Sequence, residues 1–255
     1  VKLWSRNVFI ILIIFAGLSA TAMDAFEIQV YDGEINKVGQ YSLETHLNHI
    51  FSGLNQGDYI GQDPANHLTH LTFEGARGIT DFWELGAYFQ TAITPDQQLR
   101  YSGVKLRSKF VVPRKTIRPF HLGLNFEISN IPYEFEPSRW SGEIRPIIGY
   151  NWGRLLILIN PILDFDFSRG STTPQGSPAA KIQYDTGYGY GLGAEYYADT
   201  GYLNQMRPLN DQLQYAFAVL DLLNSAYEVN IGLGTGLNDG ANDFVAKAIF
   251  GFDFD

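Results

Sequence analysis

The chain has 255 residues, no cysteine and a formal net charge of −9. That length suits one or two soluble domains or a single mid-sized barrel. The missing cysteines exclude a disulfide framework, a thiolate-held zinc or iron–sulfur centre and a lipidated N-terminal cysteine, and the acidic balance argues against a nucleic-acid partner, which requires a basic face.

From the N-terminus, Lys2 and Arg6 precede the apolar run Val8 to Leu18, and Ala20-Thr21-Ala22 supplies small residues for cleavage. The pattern predicts a signal peptide over residues 1–22. The run, about eleven residues, is too short to cross a bilayer as a helix. Nothing after Met23 reads as a membrane helix. Residues 23–40 are predicted to form a periplasmic lead-in or an extra strand, and residues 41–255 a barrel.

From residue 41 onward apolar and polar residues alternate with period two, and no long segment carries a helical period. Val104 to Phe110, Phe120 to Ile128, Tyr227 to Gly234 and Phe244 to Phe254 are the clearest cases. Twelve strands are predicted, near 41–52, 66–78, 81–93, 101–112, 117–130, 141–151, 154–168, 177–185, 188–199, 212–222, 226–237 and 243–254. Tight turns such as Asn151-Trp152-Gly153-Arg154 and Asn224-Ser225-Ala226 are expected at one end. Longer polar loops such as 53–66 and 169–177 are expected at the other. An even number of strands with loops sorted in this way is the pattern of a closed antiparallel outer-membrane barrel, with short periplasmic turns and longer extracellular loops.

Alternation alone does not say which face meets solvent. Twelve strands enclose a lumen too wide for one layer of side chains. The polar faces mix charge with glycine, as in Gly189, Gly191, Gly193 and Glu195, or Glu228, Asn230, Gly232, Gly234 and Gly236. Aromatics gather near strand ends: Trp83, Phe89, Tyr101, Trp140, Tyr150, Trp152, Tyr196, Tyr197, Tyr227 and Phe254 are expected to form two interfacial girdles. All three features place the apolar stripe against outer-membrane lipid. The last strand has Phe244, Ala246, Ala248, Phe250, Phe252 and Phe254 on one face, like the C-terminal signal read by the barrel-insertion machinery, although Asp255 follows the final Phe.

Several stretches resemble a large group of uncharacterised proteobacterial outer-membrane β-barrel proteins, related to those assigned to a phenol-degradation pathway. They are Leu71-Thr72-Phe73-Glu74-Gly75 with Gly78-Ile79-Thr80-Asp81 and Glu84-Leu85-Gly86, Asn160-Pro161-Ile162-Leu163-Asp164, Gly193-Ala194-Glu195-Tyr196-Tyr197, and Gly232 to Asp239. The resemblance implies a signal peptide followed by a barrel and brings no catalytic residues. The pathway label follows genetic neighbourhood and implies no reaction.

Charged positions on the polar faces are predicted to line the lumen. These are Glu84, the row Lys105, Arg107 and Lys109, then His121 and Glu127, Glu143 and Arg145, and Asp164 and Asp166. Glu84 and Glu127, on the strands flanking the basic row, are its nearest expected partners, since opposite charges on adjacent strands pair. Four of the five histidines, His46, His49, His67 and His70, fall in the first hairpin. His46 and His70 share the polar face with Glu44 and Glu74 and are weak metal candidates; hydrogen-bonded or interfacial histidine is the default.

No histidine has Ser two positions later, so the His-x-Ser signature of outer-membrane lipid hydrolases is missing; Ser108 and His121 are the one pair that adjacency suggests. No catalytic residue and no cofactor are expected. Gly232-Leu233-Gly234-Thr235-Gly236 is not a dinucleotide fingerprint, because no helix follows it. The leading expectation is an outer-membrane barrel that passes or binds a small solute through a charged, narrow lumen. A plugged structural or surface-interaction barrel is the alternative, and a lipid-modifying enzyme the third reading.

Overall fold

A computed structural model of the protein describes residues 24–168, 173–224 and 227–255. The predicted signal peptide lies outside the described residues, as do parts of the 169–177 loop and of the Asn224-Ser225-Ala226 turn. Fourteen β segments occur: β1 (Tyr41–Ser52), β2 (Thr69–Gly78), β3 (Trp83–Ile93), β4 (Leu99–Val111), β5 (Phe120–Asn130), β6 (Trp140–Trp152), β7 (Leu155–Asn160), β8 (Leu163–Asp166), β9 (Gln175–Gly176), β10 (Ala179–Asp185), β11 (Tyr190–Asp199), β12 (Leu213–Asn224), β13 (Tyr227–Gly236) and β14 (Phe244–Phe254). They build twelve wall strands. Pro161 separates β7 from β8, and Pro178 separates β9 from β10, because proline brings no N–H to a ladder. All pairings between the described strands are antiparallel, and β1 pairs with β14 from Tyr41 opposite Phe254 to Ser52 opposite Phe244. With β5 paired to β6 as well, the sheet closes into a barrel.

The outer surface is apolar. Leu106, Leu122, Leu124, Ile128, Ile148, Ile182, Leu192, Ile231, Leu233 and Phe250 are all exposed, while their strand neighbours Lys105, Arg107, His121, Glu127, Lys181, Asn230, Lys247 and Ile249 are buried. This is the reverse of a soluble barrel, whose exterior is polar. A bulge sets the parity on β4. Its register against β3 shifts between Gln90, opposite Gly103, and Thr91, opposite Tyr101, so Ser102 is the extra residue, next to Gly103 at φ +136°. Above it Ser102 points inward, below it Lys105, and both Tyr101 and Val104 stay outside.

Most of the predicted girdle faces out, including Trp140, Trp152, Tyr150, Tyr196, Tyr227 and Phe254. Tyr197 does not; it is buried inside, on the Glu195 face, because side chains alternate along β11. Glycine on the inner face gives up space to large neighbours. A Cβ on Gly234 would lie 2.4 Å from the Phe217 ring, and one on Gly232 would lie 3.0 Å from the Lys247 stem. The loops sort largely as expected, with 53–68, 131–139 and 200–212 at one end and 79–82, 153–154 and 186–189 at the other. The 112–119 connection is longer than the link expected between strands ending near 112 and starting near 117, and it carries the helical turn α1 (Arg114–Ile117).

Residues 24–40 form neither a lead-in outside the barrel nor a thirteenth wall strand. Among the described residues their pairing with the sheet is limited to an isolated bridge from Val38 to Gly78 and the backbone bonds around it. Phe26, Glu27, Ile28, Val30 and Tyr31 are buried within the lumen. The alternation of Phe26-Glu27-Ile28-Gln29-Val30-Tyr31 is that of a strand with two different sides, but a closed barrel offers it no free edge.

The lipid-facing assignment is testable by depth. Leu124→Arg, mid-strand on β5, should cost about 2–4 kcal/mol, whereas Leu99→Arg at the loop end of β4 should cost about 0–1 kcal/mol. Equilibrium unfolding of the barrel refolded into lipid vesicles measures both. Equal costs would contradict an exterior embedded in hydrocarbon.

Candidate functional site

The internal segment runs from the long-loop half of the lumen to the short-turn end, held by side chains from the wall. Near its start Asp24 pairs with Lys105, and Asn48 donates to the Ala25 carbonyl at 2.9 Å. Phe26 packs edge-on against His70, with ring centroids 4.4 Å apart, and against Phe135. Glu27 faces Lys105 at 3.6 Å and Arg145 at 3.9 Å. Lys247 donates to the Ile28 carbonyl at 2.9 Å. Asn160 brackets Tyr31 as a neighbouring strand would: its Oδ1 accepts from the Tyr31 N–H at 2.7 Å and its Nδ2 donates to the Tyr31 carbonyl at 3.1 Å.

The Tyr31 hydroxyl donates to Glu27 at 2.5 Å and lies 2.8 Å from that of Tyr88, while the Arg145 guanidinium stacks 4.2 Å over the Tyr31 ring. At the exit, the Asn36 N–H donates to Glu84, and Gly78 exchanges backbone bonds with Gly39 and Gln40. A Cβ on Gly78 would lie 2.2 Å from the Lys37 carbonyl, so glycine is required where the chain crosses.

The two sides of the segment meet different walls. Ile28 and Val30 join an apolar cluster with Leu158, Tyr197, Phe217, Val219 and Val245. Glu27 and Tyr31 face the charged wall of β3 to β6.

All ten sequence-predicted charged positions lie on the lumenal side or line its cavities. Arg107 bonds Glu84 at 2.9 Å, Lys109 reaches Glu84 at 3.3 Å, and Lys105 reaches Glu127 at 3.4 Å. Arg145 forks onto Glu143 at 2.6 and 2.9 Å. His121 sits between the Asp32 carbonyl, 2.7 Å from Nδ1, and the Asn151 amide, 2.8 Å from Nε2, so Nδ1 donates to the carbonyl. Asp164 accepts from Ser177, and Asp166 accepts from the Ser168 N–H at 3.0 Å.

Sequence adjacency missed Asp24 and Glu27 as partners of Lys105, and Glu74, 2.5 Å from Arg107 across two strands. It also missed a second network, in which Lys181 bridges Glu195 and Asp221 and Lys247 pairs with Glu195. Lys181 and Lys247, each the lone basic residue of its strand, were the available signal. Ser108 accepts from the Trp83 indole on the outer side and His121 points inward, so the suggested serine–histidine pair is not assembled.

Three cavities flank the segment. The largest, about 570 Å³, opens on the short-turn side. It is lined by nine carboxylate residues against Arg107, Lys109 and Lys181. Two smaller ones, about 80 and 110 Å³, lie in the long-loop half. The first of these has seven carboxylate residues against Lys105 and Arg145. Glu136, half-buried on the 131–139 loop, borders both small cavities. Burial raises its carboxyl to about 8, with repulsion from Asp24 adding to the rise and Lys105 opposing it.

No protein-family model matches the chain, and no curated protein matches it in sequence. The fold is similar to that of the KdgM porin, with TM-score 0.56 and 10% identity over 84% of this chain and 99% of that one. It is also similar to the COG4313 outer membrane channel from Pseudomonas putida F1, with TM-score 0.57 and 14% identity over 89% and 100% of the two chains. A third likeness is to the NanC porin, with TM-score 0.51 and 9% identity over 84% and 99%. At such identities the likeness is one of fold, that of outer-membrane barrels.

Two outcomes follow from this geometry. Arg145→Ala strands Glu143 and Glu27 in the lumen and should cost roughly 3–5 kcal/mol. Adding Glu143→Gln should recover part of that in denaturant titration, and an Arg145→Ala barrel as stable as wild type would contradict the network. For Glu136, the folded barrel keeps the proton up to about pH 8, whereas the unfolded chain releases it near 4.5. Its contribution to stability therefore falls as pH climbs through that window, by an amount that solvent screening reduces. Glu136→Gln should flatten the fall of the urea midpoint between pH 5 and 8, and an unchanged slope would contradict the assignment.

Proposed function

We propose that the protein is an outer-membrane channel for small solutes that prefers cations and is held narrow by its own N-terminal segment. The observation that carries this reading is the excess of acidic over basic side chains in the cavities on either side of the segment, which holds in each even with Glu136 left out as protonated. The cations present are engaged: Lys105, Arg107, Lys109 and Arg145 each face at least one carboxylate. The basic row on β4 therefore braces the lumen, and the unmatched carboxylates set the field that a permeating ion meets. Placement in the outer membrane is supported by the apolar exterior and by the porin-like fold. Outer-membrane lipid and the barrel-insertion machinery are the partners such a protein requires.

One KdgM structure is a complex with disordered oligogalacturonate. A polyanion of that kind would meet repulsion here, so the proposed solutes are cationic or neutral. The phenol-degradation label of the sequence resemblance adds no solute to this reading. The depth to which the segment fills the lumen favours one second reading, a closed barrel serving a structural or surface-interaction role.

Planar-bilayer recording separates the two. The wild-type barrel should show a small conductance whose reversal potential in a KCl gradient favours potassium. A barrel lacking residues 24–36 should conduct several-fold more. Silence from both proteins would support the closed structural barrel, and anion preference would overturn the cation reading.

A further inference from the structure

We propose that Glu44, His46 and Glu74 form a binding site for a zinc-class divalent cation in the lumen wall. The site stands on adjacent strands. Glu44 and His46 are two apart on β1, Glu74 lies directly across from Glu44 on β2, and all three point inward. His46 is completely buried, Nδ1 has no hydrogen-bond partner, and Nε2 meets two carboxylates without a well-aligned hydrogen bond to either. Its Nε2 stands 3.4 Å from Glu74 Oε2 and 3.7 Å from Glu44 Oε2, and one donor atom from each residue lies within 4.8 Å of the others.

Donors held at about 2.0–2.1 Å from a tetrahedral cation lie roughly 3.4 Å from one another. The triad therefore has the spacing of a ligand set. A buried imidazole that faces two carboxylates without an aligned hydrogen bond is an incomplete arrangement that a cation would complete.

Charge points the same way. Glu44, Glu74, Glu84 and Glu228 crowd this end of the lumen, where Arg107 pairs with Glu74 and Glu84 and Lys109 with Glu84; a single Cβ built on Gly251 would touch both Glu44 and Glu228. A divalent cation placed among them would answer carboxylates that the two cations leave unmatched. Glu74 can serve both partners, because its Oε1 faces Arg107 and its Oε2 faces His46.

Glu44 and Glu74 also line the 570 Å³ cavity, so the cation has an aqueous approach and water to complete its shell. Thr72, the cross-strand partner of His46, has an unbonded hydroxyl suited to accept from Nδ1–H once Nε2 is coordinated. The imidazole selects zinc, cobalt or nickel over magnesium and calcium, which take all-oxygen shells. His70, the other inward histidine of this hairpin, packs on Phe26 and takes no part.

The inference is independent of transport, since a barrel that never conducts can still hold the ion. Isothermal titration of the complete detergent-folded barrel with ZnCl2 tests it. One ion per barrel is expected, with calcium at the same concentrations giving no comparable signal. His46→Ala should weaken zinc binding by about tenfold or more, and His70→Ala should leave it unchanged. If His46→Ala loses the heat-dependent gel shift of a folded barrel, Glu44→Gln, which keeps the side-chain volume, takes its place with the same expected loss. No zinc binding by wild type, binding undiminished in the folded variant, or calcium bound as tightly as zinc would each overturn the proposal.

Discussion

Closure of the sheet is the constraint on which everything else in this structure depends. A ring of antiparallel strands pairs the wall backbone around its circumference and leaves no edge, which is what a hydrocarbon exterior demands. Once the wall is closed, a chain inside it has no ladder to join. The internal segment is held instead by side chains that imitate one. Asn160 offers the Tyr31 backbone an acceptor and a donor, Asn48 and Lys247 reach carbonyls, and Glu84 takes the Asn36 N–H. The same closure turns the alternation of each strand into an inside and an outside. The lumen therefore collects the polar half of the sequence whether or not its charges balance.

The imbalance is uneven around the circumference. The wall of β3 to β6 holds the ionic network about Lys105, Arg107 and Arg145, while β7, β11, β12 and β14 present Leu158, Tyr197, Phe217, Val219 and Val245 beside the smaller network of Lys181, Glu195 and Lys247. The segment reproduces that asymmetry, with Glu27 and Tyr31 on one side and Ile28 and Val30 on the other. Seating it the other way round would bury Glu27 in the apolar cluster and set Ile28 among charges, a costly exchange. Orientation is thus specified by two adjacent residues, and the spaces left over are those that carboxylates dominate.

The wall was largely legible in the sequence because period two is a local signal. Leu122, Leu124 and Phe126 against His121, Asn125 and Glu127 need no partner to reveal two faces, and Glu84 and Glu127 follow as neighbours of the basic row by strand order alone. What was illegible is what depends on contact across the lumen. Nothing near Lys105 announces Asp24, 81 residues away in the chain. Residues 26 to 31 alternate as a wall strand does, and alternation records two-sidedness without saying whether a backbone partner exists. Tyr197 was misplaced by reading aromatic type in place of position, and the connection after β4 by missing a helical turn between Pro113 and Pro119. For the histidines the shared face of His46, Glu44 and Glu74 was readable. That His70 turns to Phe26 was not, because Phe26 belongs to the segment whose path the sequence concealed.

The seam between β1 and β14 bears on how the barrel is assembled. It joins the first wall strand to the last, so the ring cannot shut until the whole wall has been made. β1 begins at Tyr41, immediately after the internal segment leaves the lumen past Gly78. While that seam is open the sheet is a curved trough. A segment tethered to β1 can then be laid in sideways, with Glu27 meeting Lys105 and Tyr31 meeting Asn160 without being drawn lengthwise through a finished tube. In that sequence of events the segment acts as a mandrel: it gives the charged wall its counter-ions and the apolar wall its packing before the ring is complete, and closing the seam locks it in place.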